Sequence, residues 1–393
     1  MILSRRHILT GLPAAAFMPG LALATIRARP GKRMVVIILR GAMDGLGAVA
    51  PLADPDYAAL RGGLALGTPA VPGGALALDG RFWLHPALAP VHPFFAQLDM
   101  LVVHAAASPY RDRSHFDAQN MIETGMTRPN AGSDGWLNRA LSCLGTTGGA
   151  GGIRGIAFTG ALPLMLTGAA PVSNWLPDHQ KPDISAEVTR MYAPDRALAA
   201  AYAAGLAARG VVDGASRGAP QRRDFPSLAM IAGRTLAADG GPNVAVLELG
   251  GWDTHVGQGT ARGRLASALA NLAAGVSALH QGLGPAWADT ICMAVTEFGR
   301  TARPNGNGGT DHGTGTACLG FGGALAGGRV IADWPGLSNA ALYQQRDLAP
   351  TTDLRSVLKG VLGDHLGVTR AALEQRIFPG SATAQPLQGL IRA

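Results

Sequence analysis

Aromatic residues make up only 5% of this 393-residue chain, and charged residues only 15%. The first shortage argues against a stacking platform for single-stranded nucleic acid. The second, beside 47% hydrophobic residues, excludes a disordered chain and indicates a well-buried globular protein. Cysteine is almost missing: Cys143, Cys292 and Cys318 show no C-x-x-C spacing, so buried free thiols are expected. The net charge is +7, but no basic run reaches five or six residues, and nucleic-acid binding has little support. No H-E-x-x-H helix is present, which weakens a metallopeptidase reading. Beyond the N-terminus no segment is apolar for 18 uninterrupted residues, so no stable membrane insertion is expected of the mature chain.

The chain does have a targeting segment. In "MILSRRHILTGLPAAAFMPGLALA", residues 1–24, Arg5 and Arg6 form a twin-arginine pair, an apolar stretch follows, and Ala22-Leu23-Ala24 is an A-x-A cleavage site. Export by the twin-arginine translocase to the periplasm or beyond is expected, leaving a mature charge of about +5. Residues 25–393 read as a single domain.

The runs "MVVIIL" (34–39), "MLVVHAAA" (100–107), "VAVLEL" (244–249) and "ICMAVT" (291–296) are continuously apolar. That is the pattern of strands covered on both faces in a mainly parallel sheet. Helical segments lie between them, beginning with "SHFDAQNMIETG" and including one that Pro194 should break. The fold class is therefore α/β, a three-layer αβα sandwich. Residues 160–225 show no strand of the parallel type and read as a helical insertion or cap.

In open parallel sheets, ligands bind beyond the carboxyl ends of the strands. Here those ends carry polar groups: Asp44; then Arg111, Arg113, Ser114 and His115; then Asp253 and His255; then Glu297 and Arg300. The loop "PNGNGGTDHGTG" adds Asp311 and His312. Acid and histidine two positions apart in an extended segment point the same way, so Asp253 and His255 suit one ion. Carboxylate oxygens with imidazole nitrogens make a zinc or manganese ligand set, and the whole group is large enough for two ions. Each residue also has a plainer reading. Asp44 suits a turn, Ser114 a helix cap, Asp253 a capped turn, and Glu297 a bridge to Arg300.

The motifs "ILRGAMDGL", "SHFDAQ", "DGWLNRAL", "LGGWDTH", "TEFGRT" and "GGTDHG", in this order, resemble the twin-arginine-exported bacterial proteins grouped as domain of unknown function 1501. Those are placed in the alkaline phosphatase-like superfamily, beside sulfatases and phosphopentomutases, and the resemblance spans about residues 33–378. It implies a three-layer sandwich with two metals. By motif, Asp44 and Ser114 fall at one metal, with Ser114 as nucleophile; Asp253, His255 and His312 fall at the other. Glu297 stands where better-known members carry an Asp-His pair.

The expected function is an exported hydrolase of phosphate or sulfate esters. Its metal is one or two divalent ions, Zn or Mn first, with Mg or Ca compatible. Ser114 is the candidate nucleophile and His115 an acid or an orienting group. Arg111, Arg113 or Arg300 would hold the anionic oxygens of a small ester substrate. The alternative is a non-catalytic periplasmic binding or assembly protein on the same fold.

Overall fold

The structure, a computed structural model, describes residues 31–71, 73–145, 149–177, 184–220 and 222–392. The targeting segment read at residues 1–24 lies outside the described residues. Strands of the main sheet are β1 (Arg33–Leu39), β2 (Met100–Ala107), β3 (Gly155–Ala157), β4 (Val172–Asn174), β5 (Val244–Leu249), β6 (Thr290–Thr296), β7 (Thr316–Phe321), β8 (Arg329–Ile331) and β9 (Thr352–Asp353). They lie in the order β8–β2–β7–β6–β1–β5–β3–β4, with β9 also against β2. Every pairing is parallel except those of β7, which is antiparallel to both β2 and β6.

The apolar runs become strands because both faces are covered. Val35, Ile37 and Leu39 of β1 pack with α5 (Phe225–Ala237) and α6 (Arg264–Leu283) on one face. Met34, Val36 and Ile38 pack with α2 (Trp136–Cys143) and α7 (Leu354–Asp364) on the other. Alternate residues of one strand thus feed two cores, which makes three layers. The helices start where short acidic residues cap them: Asp224 accepts from the Ser227 N–H at 3.0 Å and Asp353 from the Arg355 N–H at 2.8 Å. The three cysteines are buried and unbridged. Among the described residues no helix is long and apolar enough to cross a membrane.

The segment 160–225 differs from its expected helical form. It supplies the edge strand β4, paired in parallel with β3. Three residues, Val-Ser-Asn, are too short and too polar to show an apolar run. Its helices α3 (Ser185–Tyr192) and α4 (Arg196–Ser216) are separated at Pro194, and Asp195 restarts the second by accepting from two N–H groups. Helix α4 packs on α5, whereas α3 buries no residue.

Two features of register place the site. Leu39 pairs with Leu249 on one side and Thr296 on the other, so β1, β5 and β6 end level. Because β7 runs antiparallel, the loop before it, carrying Asp311 and His312, reaches that same edge.

Candidate metal centre

After β5 the chain turns through Gly250-Gly251, and the turn is pinned by Trp252, wholly buried, whose Nε1 donates to the Leu249 carbonyl at 2.8 Å. Asp253 and His255 follow. The exit from β1 passes so close that a Cβ on Gly41 would stand 2.7 Å from the Asp253 nitrogen. His115 opens α1 (His115–Thr124) after Ser114. The residue before them, Arg113, sits at φ 60, a costly conformation for a non-glycine residue.

Three imidazole tips meet here. His312 Nε2 lies 3.0 Å from His115 Nε2 and 2.9 Å from His255 Nε2. The Asp253 carboxylate completes the group, 3.1 Å from His255 Nε2, 3.5 Å from His312 Nε2 and 3.6 Å from His115 Nε2. Donor atoms of His115, Asp253 and His312 all fall within 4.8 Å of one another. Ligands of a tetrahedral ion with bonds near 2.0–2.1 Å are separated by roughly 3.3 Å, and these contacts bracket that value.

The outer ring nitrogens decide where the protons sit. His312 Nδ1 faces the Arg113 carbonyl at 2.9 Å, which only accepts, so Nδ1 carries the proton. The strained turn at Arg113 is what aims that carbonyl. His255 Nδ1 lies 3.0 Å from Asp311 Oδ1, which also accepts from Asn305. His115 Nδ1 lies 2.8 Å from Glu297 Oε1, which also accepts from the Gly41 N–H at 2.8 Å and Gln119 Nε2 at 3.1 Å. Burial works to raise the Glu297 pKa, but these donors prevail and hold it below the ordinary value, so it acts as an acceptor. The bond to Glu297 raises the His115 pKa, while burial and the neighbouring His115 lower that of His312.

With Nδ1 protonated, His312 turns its Nε2 lone pair toward the Nε2 atoms of His115 and His255; His115, His312 and Asp253 form the compact group, and His255 joins it through His312 and Asp253. Nitrogens this close to one another and to a carboxylate oxygen are held by a shared proton or by a cation between them. Three imidazole nitrogens and one oxygen fit zinc or manganese, and each ligand nitrogen is backed by an outer acceptor, as in metal sites generally. Magnesium and calcium, which take oxygen ligands, fit less well.

The other residues singled out from the sequence lie as follows. Glu297 and Asp311 stand behind the histidines instead of between them. Asp44 is not in the cluster: it is 1% exposed, paired with Arg61, and accepts from Gln258 Nε2 at 2.6 Å and the Gly47 N–H at 3.2 Å. Ser114 takes the N-cap position without capping through its hydroxyl. Arg300 is buried and spent on Asp253, at 2.6 Å, and on Thr310. Arg113 donates to Asp347 at 2.9 Å and Gln344 at 2.6 Å, and Arg111 donates to the Ser108 and Tyr110 carbonyls.

Sequence reasoning did not single out Arg61, Gln258, Tyr110 or Asp347, and it placed His115 at the same sheet edge without seeing it as a third imidazole beside His255 and His312. The strand-end rule applied to "MLVVHAAASPYRDRSH" was the signal available for His115. Nothing comparable marks Asp347, which holds Arg113 from 234 residues away.

Among curated proteins, none matches this sequence. Among solved structures the chain is similar to the C-terminal periplasmic domain of EcEptC from Escherichia coli in complex with Zn. The identity is 9% and the TM-score 0.43, over 92% of this chain and 88% of that one. It is also similar to the phosphonate monoester hydrolase of Agrobacterium radiobacter, at 14% identity and a TM-score of 0.35, over 86% and 74%. The family model described as protein of unknown function (DUF1501) matches residues 107–377, well over half of the chain, and the protein belongs to that family.

Proposed function

We propose that the protein is an exported, metal-dependent hydrolase of phosphate or sulfate esters, working with one divalent ion held by His115, His255, His312 and Asp253. The observation that carries this is the convergence of three imidazole Nε2 atoms and a carboxylate, each ring fixed from behind by an acceptor. When bound, such an ion draws electron density from an ester oxygen and eases ionisation of a nearby hydroxyl.

Ser114, one residue before His115, is the hydroxyl we assign as nucleophile. Tyr110, on the loop before it, donates its O–H to Asp117 Oδ2 at 3.1 Å. Arg300 keeps Asp253 ionised and in place: burial opposes this, but the guanidinium bond holds the Asp253 pKa below its ordinary value.

The export part of the proposal rests on Arg5, Arg6 and Ala22-Leu23-Ala24. Replacing both arginines by lysine should retain the protein in the cytoplasm; unchanged periplasmic recovery would refute it. The catalytic part is tested with aryl phosphates, phosphodiesters and sulfates, each with Zn, Mn, Mg and Ca. Ser114→Ala should keep the metal and lose turnover. One observation favours a non-catalytic binding protein: Asp44 and the arginines are already satisfied by protein groups. Metal-loaded wild type without turnover on every ester class would decide for that reading.

A further inference from the structure

We infer that Asp347, a residue outside the cluster, is a positioning residue for the metal centre: through Arg113 and Arg346 it sets the direction in which His312 presents its Nε2. The inference rests on the metal-dependent reading above and adds a residue to it.

The three rings are not backed alike. His115 has the Glu297 carboxylate behind it, and His255 has that of Asp311. Behind His312 stands a neutral group, the Arg113 carbonyl at 2.9 Å. That carbonyl faces Nδ1 while Arg113 stays at φ 60, a conformation that a non-glycine residue keeps only when its surroundings impose it. Here the side chain of Arg113 supplies the constraint. Its Nε donates to Asp347 Oδ2 at 2.9 Å, and its Nη2 lies 2.8 Å from the same oxygen.

The other oxygen of Asp347 accepts from Arg346 Nη1 at 3.0 Å, and that same Nη1 donates to the His312 carbonyl at 2.8 Å. One carboxylate therefore reaches His312 twice, at the ring through Arg113 and at the main chain through Arg346. Burial raises the Asp347 pKa, and both guanidinium groups oppose the rise. Asp347 is wholly buried, whereas the side chains of Arg113 and Arg346 are 21% and 40% exposed, so the acid is the fixed member of the trio. Its backbone is anchored without help from its side chain. Asp347 exchanges two hydrogen bonds with Tyr343, at 2.9 and 3.0 Å, and the Arg346 carbonyl accepts from the Ala302 N–H at 3.1 Å. Thr301 bridges to Asp347 and Arg300 to His312, so acid and histidine hang from one short frame. What the Asp347 side chain adds to that frame is the aim of an imidazole, the service an outer partner gives a metal ligand.

The test uses the full mature chain with nitrogen-15 in its histidines, and reads ring tautomers by NMR in metal-free protein and zinc affinity by chelator competition. The His312 ring, assigned by its loss in His312→Asn, should carry its proton on Nδ1 in the wild type. Asp347→Asn should turn this into a mixture of tautomers and weaken zinc binding on the order of tenfold. Asp224→Ala, which removes the cap of α5, controls for lost stability and should move neither reading. Arg113→Ala should resemble Asp347→Asn, whereas Arg113→Gly should stay closer to the wild type, because glycine takes positive φ without strain. With Arg113→Gly and Arg346→Met combined, Asp347→Asn should add nothing, since both of its routes are gone. A wild-type His312 protonated on Nε2, or an Asp347→Asn chain with unaltered tautomer and zinc affinity, overturns the inference while leaving the metal centre standing. So does an equal shift in Asp224→Ala. If Asp347→Asn does not fold, equal losses in Arg113→Ala and Arg113→Gly overturn it. A wild-type chain that takes up no zinc overturns the metal centre and the inference with it.

Discussion

Two carboxylates leave the same edge of the sheet, Asp44 after β1 and Asp253 after β5, into opposite surroundings. Asp44 is closed in: it lies against Arg61, Gln258 and the Gly47 N–H, and the histidines nearest to it, His85 and His104, are wholly buried. The Asp253 side chain is 45% exposed, has Arg300 on one side, and faces three imidazole tips on the other. The regions are joined: Gln258 accepts from Thr310 Oγ1 at 2.6 Å, and Arg300 holds Thr310. The Asp44 side is nearly closed by protein groups, with only Arg61 Nε left unpaired there among the described residues. In the other, imidazole nitrogens face one another and a carboxylate, an arrangement that a shared proton or a bound cation completes.

The strongest way to break this comparison is to remove one imidazole. His312→Ala takes away the ring that touches both others, and zinc affinity should fall by more than about 100-fold, beyond the usual cost of losing an outer partner. Chelator competition on the purified variants measures this. Full wild-type metal content in His312→Ala would mean that the converging tips hold no ion.

Asp44→Asn should do the reverse. It strands the buried Arg61 charge, and removing one partner of such a pair costs about 3–5 kcal/mol of stability. Zinc bound per folded chain should not change. Denaturant unfolding with parallel metal analysis separates the two; a loss of zinc at retained stability would return Asp44 to the metal site.

The buried histidines respond to acid in a definite direction. Burial lowers the His104 pKa from 6.5 to about 4, against opposing bonds to backbone carbonyls. The folded state thus keeps His104 neutral, so its contribution is fully present above 6.5 and lost as pH falls from there toward 4. The difference corresponds to on the order of 3 kcal/mol. His85 is lowered by burial too and adds in the same sense. His115, raised by Glu297, works the other way in metal-free protein: its contribution is present below 6.5 and lost as pH rises through its raised value. Unfolding of the metal-free chain across this range should show the acid loss, and His104→Gln should flatten it. An unchanged slope in that variant assigns the loss elsewhere.

Much of this architecture is legible in the amino-acid sequence, for a physical reason. A strand buried on both faces must be apolar throughout, so Arg33–Leu39, Met100–Ala107, Val244–Leu249 and Thr290–Thr296 stand out within a residue of their observed limits. β4 does not, because Val-Ser-Asn carries no such requirement at an edge. In the site, the strand-end rule finds Asp253, His255, His115 and, through the loop before β7, His312. What it cannot supply is which end of each imidazole faces inward, because that depends on an acceptor placed by another element. Glu297 therefore reads as a ligand as readily as a support. Nor does it reveal that Arg61, 17 residues along in an unremarkable segment, answers the Asp44 charge.

That ambiguity sets the finest test, because Glu297 and Asp311 are distinguishable from ligands by how much their loss costs. An outer acceptor fixes a ring and raises its basicity, and its replacement usually lowers metal affinity 10–100-fold. Glu297→Gln should fall within that range: the carboxylate is fully buried and takes three donors at Oε1 besides the Thr296 hydroxyl at Oε2, and a neutral amide oxygen satisfies the His115 N–H only weakly. Asp311→Asn should cost less, nearer tenfold, because the Asp311 side chain is 48% exposed and water can replace it behind His255. Zinc titrations of both variants beside His312→Ala give the ranking. If Asp311→Asn loses as much zinc as His312→Ala, Asp311 binds the ion directly, and the division into facing tips and backing acceptors has to be redrawn around it.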